Sequence, residues 1–369
     1  MFAKKTRNYA IAMQGLLRRD ICRAPRWDGA RNAMVFAVFV GLLWLTPLLF
    51  AAAGQYEIRE VKPGVFVWIP DDIVDQSADP AFSRAGTAGF LVTSQGIAVI
   101  DTTNNPIHAR EILYEIRQRT DAPISVVFNT GAQGDEILGN EVFADQEAEI
   151  LASTAAEARM RLYQQDLARR LSQTASLHSR LRGIHLTLPS RAFSGQMSMV
   201  MDSEELKFLD LDCGEPGEPT GDSVLFLPRS KVLFLGNLFV NGYVPSIDSR
   251  NIRRWIDVLR QVEQWNVDVY VPGHGEPGGR EQVRAFRGLL EWLLAQVETR
   301  VRRGESLSRV RRELSPMPPF RLRAWELTPR AIEAVYDQLA GGAKPPSPPP
   351  VKTLRGMSEA PPVAPPFSH

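Results

Sequence analysis

The stretch FNTGAQGDEILGN, residues 128–140, follows a short apolar run and gathers small, amide and acidic side chains into one loop. Its outline is that of a metal-binding loop: a strand end, an Asn129-Thr130 turn, the acidic pair Asp135-Glu136 and a closing Gly139-Asn140. It holds no histidine. Zinc sites are built from imidazole nitrogens, thiolates and carboxylates in a fixed geometry, and this loop offers carboxylates and amides only.

Upstream, "GVFVWI" (64–69) and "AGFLVTSQGIAVIDTT" (88–103) read as strands broken by turn residues, with Gly96 at a hairpin-like turn. "IHAREILYEIRQRT" (107–120) has apolar residues at helical spacing behind a proline. "ISVVFNT" (124–130) reads as a buried strand running into the loop, and "AEILAS" (148–153) as a small strand after it. Residues 155–182 lack Gly and Pro and predict a long helix. Strand signals resume in "IHLTLPS", "MSMVMD", "ELKFLDL", "DSVLFLP" and "KVLFLGNLFV". Helices are expected over 252–265, 280–303 and 328–339, with a strand at "DVYVPGHG" (268–275). The expectation is an α/β domain of two similar halves with mixed sheets.

In order and spacing these segments resemble the metallo-β-lactamase superfamily, and most closely its exported quinoprotein relay system zinc metallohydrolases. "GIAVIDTT" resembles the early strand ending in Asp, and "VVFNTGAQGDEILGNEVF" the NTHxHxDHxxGN loop. "LFLGNLFVNGYVPSID" with "WIDVLRQVEQW" resembles the GD loop and its helix, "YVPGHGEP" the late histidine loop, and "LTPRAIEAVYDQL" the C-terminal helix. The resemblance covers residues 60–340 and implies an αββα sandwich with a dinuclear zinc site where the sheets meet. It also implies a ligand at each of seven positions. Here they hold Gly131, Gln133, Asp135, Glu136, Glu218, Asn237 and His274, and only Asp135 and His274 keep the family residue. Asp101 falls where an acidic residue orients the loop from behind.

One imidazole among scattered oxygens is a poor zinc site, and Asn237 removes the charge that would bridge two cations. Dinuclear zinc is therefore not expected, and no other cofactor is implied. The favoured expectation is a non-catalytic pseudo-hydrolase acting through binding, near a periplasmic quinoprotein dehydrogenase system. One alternative is a hydrolase with an oxygen-rich site of Asp135, Glu136, Glu218 and His274, helped by Gln133 and Asn237 and suited to Ca²⁺, Mg²⁺ or Mn²⁺. Another is a metal-free enzyme with Glu136 or Asp135 as base and His274 as acid.

The chain has 369 residues, net charge +1 and two cysteines, Cys22 and Cys213. Nothing here points to nucleic acid, a disulfide framework or a Cys/His zinc spacing. Residues 1–33 carry eight Lys/Arg against Asp20 and Asp28, leaving the remainder acidic. They run into residues 34–54, which contain no charged residue and are long enough to span a bilayer. The basic flank orients that end to the cytoplasm. The domain is therefore expected on the periplasmic side, anchored in the inner membrane or released by cleavage after Ala53. Residues 341–369 are Pro-rich and read as an extension without a core. The Arg-rich stretch 299–315 reads as a solvated helix face with interleaved glutamates, or as the working surface of a membrane-tethered adaptor, alone or with the tail. His108, His178 and His185 lack ligand spacing, and Cys213 is a lone thiol.

Overall fold

The computed structural model describes residues 56–71, 84–173, 185–215, 217–247, 249–315 and 322–341. The basic segment, the predicted membrane span at 34–54, His178 and the tail from residue 342 lie outside these. Among the described residues no helix is long and apolar enough to cross a membrane.

Strand β1 (Tyr56–Lys62) pairs with β2 (Val65–Pro70), followed by β3 (Ala88–Thr93) and β4 (Gly96–Ile100), all antiparallel. Helix α1 (Pro106–Arg117) then crosses to β5 (Ile124–Phe128), parallel to β4. The loop with short helices α2 (Gly134–Ile137) and α3 (Asn140–Ala144) leads to β6 (Glu149–Ser153). Helix α4 (Thr154–Gln173) precedes β7 (Arg191–Phe193), and β5, β6 and β7 pair in parallel. These seven strands lie in sequence order in one sheet.

The second sheet has the order β12-β11-β10-β9-β8. It contains β8 (Gln196–Met201), β9 (Glu204–Asp210), β10 (Ser223–Leu227), β11 (Val232–Val240) and β12 (Val269–His274). Helix α5 (Ile252–Val262) connects β11 to its parallel neighbour β12. Helices α6 (Arg280–Arg302), α7 (Leu307–Leu314) and α8 (Thr328–Ala340) follow.

Strand alternation sorts the core into layers. In β4, Ile97 and Val99 face the α1 side with Ile112 and Ile116, while Ala98 and Ile100 face the second sheet. In β10, Leu225 and Leu227 meet that inter-sheet layer, while Val224 and Phe226 pack toward α5, α6 and α8. Strands buried on both faces read as continuous apolar runs, which is why these were visible in the sequence. The result is an αββα sandwich.

Two expectations of local structure are corrected. "IHLTLPS" carries no strand, because the described part of this extended segment runs beside β6 and only residues 191–193 complete a ladder. The polar segment before residue 64 is a strand: β1 lies at the sheet edge, where alternating charged residues face solvent. In keeping with a solvated face with interleaved glutamates, the Arg-rich stretch is the end of α6 plus α7, and arginines in it pair with neighbouring acids: Arg302 with Glu298, Arg309 with Glu305 and Glu313, Arg311 with Glu333.

Candidate functional site

The ends of β4, β5 and β12 and the middle of β11 converge on the loop at 129–140. Asn129 and Asn140 fix its shape with a reciprocal amide pair. Asn129 Nδ2 donates to Asn140 Oδ1 at 3.0 Å, and Asn140 Nδ2 donates to Asn129 Oδ1 at 2.9 Å. Thr102 Oγ1 also donates to Asn140 Oδ1, and the Thr102 backbone N–H donates to the Glu136 carbonyl. All three side chains are buried and mutually satisfied.

Asp101, just beyond β4, sits at φ 57°, a left-handed conformation rare for residues with a Cβ. It accepts from the Thr130 backbone N–H at 2.8 Å and from Thr130 Oγ1 at 2.7 Å. Asp101 thus bonds the start of the loop through both of its carboxylate oxygens. Thr130 in turn needs a glycine opposite, since a Cβ on Gly236 (φ 51°) would collide with its hydroxyl.

At the first ligand position, the space a side chain would fill is already taken. A Cβ on Gly131 would overlap the carboxylate of Glu136. That carboxylate is turned inward, accepting from the Gln133 backbone N–H at 3.0 Å and facing the Thr130 hydroxyl at 3.4 Å. Gln133 lies between Asn237 and the buried guanidinium of Arg250. With its amide oxygen toward Arg250 it accepts from Nη1 at 3.2 Å and Nη2 at 3.1 Å. That orientation is preferred to a 3.5 Å contact with Asn237 Nδ2, because a guanidinium presents donors only.

Asp135 and His274, the two retained positions, pair directly, with His274 Nε2 2.7 Å from Asp135 Oδ2. The same oxygen accepts from Asn237 Nδ2 at 3.1 Å, and Asn237 Oδ1 is buried without a partner among the described residues. The His274 ring lies 5.9 Å from that of Tyr243, which the Arg84 and Arg323 guanidiniums also approach.

Glu218, expected as a ligand, is not brought here. Its backbone folds back on Glu215 in a tight turn, leaving the side chain exposed. The acidic residue that does arrive is Asp222, four positions later. It is buried against Arg250, with Nη2 to Oδ1 at 2.5 Å and Nε to Oδ2 at 3.1 Å. Its second neighbour is the Thr220 hydroxyl at 2.5 Å. Among the other histidines, His108 is half-buried against Trp68 and the Asn104 and Asn105 amides, and His185 is exposed. Cys213 is buried, its thiol donating to the Leu211 carbonyl, and burial pushes its pKa up, away from reactivity.

Burial sets the charge states. It raises the Asp101 carboxyl to about 7, against the opposing Thr130 hydrogen bonds and helped by the nearby Asp135 charge. Burial, with the charges of Asp101 and Asp135, lifts Glu136 well above the usual carboxylate range. Asp135 goes the other way. Burial opposes ionisation, but the His274 contact and the Asn237 amide outweigh it and hold the carboxyl low.

These residues do not fit a zinc pair. Gly131 gives no donor, Glu136 is tied to the loop backbone, Glu218 is exposed, and the Asp135 oxygen nearest His274 is also engaged by Asn237. Among the described residues no three His, Cys, Asp or Glu side chains form a set able to hold a metal ion. What remains is a polar cluster bonded largely within itself, with the Asn237 amide oxygen unpartnered among the described residues and one half-buried imidazole at its edge.

Sequence reasoning missed Arg250, Asp222 as its partner, Thr130, and the Tyr243 group. Arg250 carried one signal. It precedes the N-cap Asn251 of α5, where the helix dipole disfavours a cation, so a buried acidic partner was called for.

Comparison with known proteins agrees with the architecture. A linear primary-alkylsulfatase from Pseudomonas sp. (strain ATCC 19151) is 22% identical, over 53% of this chain and 42% of that protein. The chain thus spans less than half the length of this curated relative. The solved structure of the stereoselective inverting sec-alkylsulfatase Pisa1 from Pseudomonas sp. is similar with a TM-score of 0.56 and 19% identity. That likeness covers 78% of this chain and 50% of Pisa1. A metallo-beta-lactamase from Pontibacter korlensis matches with a TM-score of 0.49 and 17% identity, over 64% of this chain and 99% of its own. At 19% identity the Pisa1 structure speaks for the fold alone. The metallo-beta-lactamase superfamily model matches residues 83–274, just over half of the sequence and the span that holds most of this cluster. By that match and its sandwich, the chain belongs to the metallo-beta-lactamase superfamily.

Proposed function

We propose that the chain is a non-catalytic pseudo-hydrolase that keeps the sandwich as a scaffold and works by binding. Its setting would be the periplasmic face of the inner membrane, tethered through residues 34–54, as an accessory to a quinoprotein dehydrogenase system. One observation supports this above the others: at the family ligand positions Asp135, His274 and Asn237 bond one another, Gln133 faces Arg250 and Glu136 bonds the loop backbone, instead of converging on a shared point. Retention of His274 and Asp135 at 2.7 Å favours one second reading, a metal-free acid–base hydrolase of ester or sulfate-ester substrates, in keeping with alkylsulfatase relatives. Purified protein dialysed against chelator separates the two. The pseudo-hydrolase reading expects no stoichiometric divalent metal and no hydrolysis of alkyl sulfates, esters or lactams above background. Turnover abolished by His274→Ala would establish the second reading instead.

A further inference from the structure

Arg250 is the feature that the retained fold does not explain. It belongs to no family ligand position, it stands at the unfavourable end of its own helix, and its side chain is only 3% exposed. Its backbone is held from both sides. The Arg250 N–H donates to the Ile247 carbonyl, and its carbonyl accepts from Gln338 Nε2 of α8 at 2.7 Å. The guanidinium lies 4.9 Å from the centre of the Trp255 ring and donates to the Ser246 carbonyl at 3.2 Å. Its remaining donors all reach the cluster: both Asp222 oxygens, and the amide oxygen of Gln133 at the second ligand position.

A buried carboxylate must be countered by a cation or take up a proton. The cluster contains Asp101, Asp135, Glu136 and Asp222. His274 answers Asp135, and among the described residues no imidazole, lysine or other arginine is bonded to Asp222. A guanidinium stays charged at every accessible pH and offers a rigid fork of donors that pairs a carboxylate at two points. It also repels any second cation placed beside it.

We propose that Arg250 is the resident cation of this site: its guanidinium fills a latent divalent-cation site formed by the oxygens it touches, those of Asp222, the Gln133 amide and the Ser246 carbonyl. The family's ligand losses and this arginine are then one substitution, an exchange of an external ion for a covalently held one. Removing the side chain leaves hard oxygen donors, the kind that suit Mn²⁺ or Mg²⁺ rather than zinc. The inference rests on the reading that the native chain carries no catalytic metal.

The test compares full-length wild type, Arg250→Ala and Arg250→Lys by thermal melting and Mn²⁺ titration calorimetry. In Mn²⁺ on the order of 1 mM, wild type should be unmoved, while Arg250→Ala should melt lower in chelator and recover by about 5 °C or more. Arg250→Lys should fold and stay indifferent to the ion. Adding Asp222→Asn to Arg250→Ala should abolish the recovery. An alanine variant that binds no Mn²⁺, or stays unfolded in it, overturns the latent site. So does a lysine variant as unstable as alanine, since charge would then not be what the position supplies. Mn²⁺ bound stoichiometrically by wild type would instead overturn the metal-free reading beneath it.

Discussion

Glu136 stands where an imidazole would be expected, and its carboxylate occupies the room that Gly131 leaves open. The two residues are therefore one choice. Gly131→Ala should destabilise by about 1–3 kcal/mol through overpacking, and much of that should vanish in a Glu136→Ala background. A double-mutant cycle in urea reads the coupling directly; additive effects would contradict it. Asp101 makes a pH-dependent prediction. Its carboxyl titrates near 7 in the fold, against an ordinary value of 3.8. The native state thus keeps a proton that the unfolded chain releases, so this contribution is full below about pH 4 and is lost as pH rises toward 7. Glu136 acts in the same direction, whereas Asp135, held low, contributes above the ordinary range and is lost only on further acidification. Unfolding free energies from urea titrations should fall between about pH 4 and 7, by up to about 1.4 kcal/mol per pH unit for one group. Asp101→Asn should flatten that slope, and a flat wild-type profile would show that Asp101 is ionised in the fold.

Elements were legible where burial was two-sided and hard to read where it was not. Strands β4, β5, β10 and β11 announced themselves as apolar runs, and α5 as a helix with Asn251 before it. Edge strand β1 mixes charged with apolar residues and carries no apolar run, while the segment at 185–189 looked like a strand but lacks a ladder. The α5 cap ties local structure to the site. Asn251 Oδ1 accepts from the backbone N–H groups of Arg253 and Arg254 at 3.1 and 3.0 Å, and its amide donates to Glu215 at 2.7 Å. Asn251→Ala should cost about 1 kcal/mol from the cap alone. Hydrogen exchange should show the loss as fraying at the start of α5, next to Arg250, with the two sheets unaffected.

Over the whole molecule, the frame of the site could be read and its contents could not. The Asn129, Asp101 and His274 positions follow a spacing, so they survive transfer from one sequence to another. Arg250 reaches Gln133 from more than a hundred residues away, through the packing of α5 against the second sheet, and no linear pattern records that. Glu218 fails for the converse reason: its spacing matches, but the turn at 215–218 leaves it exposed. Restoring histidine at 131, 133, 136 and 218 and aspartate at 237 should therefore give only weak zinc uptake while Arg250 and that turn remain. Equilibrium dialysis should show a gain once Arg250 is also removed, and tight zinc binding with Arg250 in place would refute this view. The reciprocal clasp of Asn129 and Asn140 carries a separate implication. It closes the loop at its two ends with amides whose other partners are the Glu136 and Thr187 backbone carbonyls and the Thr102 hydroxyl, so they bond none of the side chains at 131, 133, 135 and 136. The mouth of the sandwich is thus a socket whose insert can be exchanged: a lineage can discard its chemistry there, or acquire another, without first having to unfold.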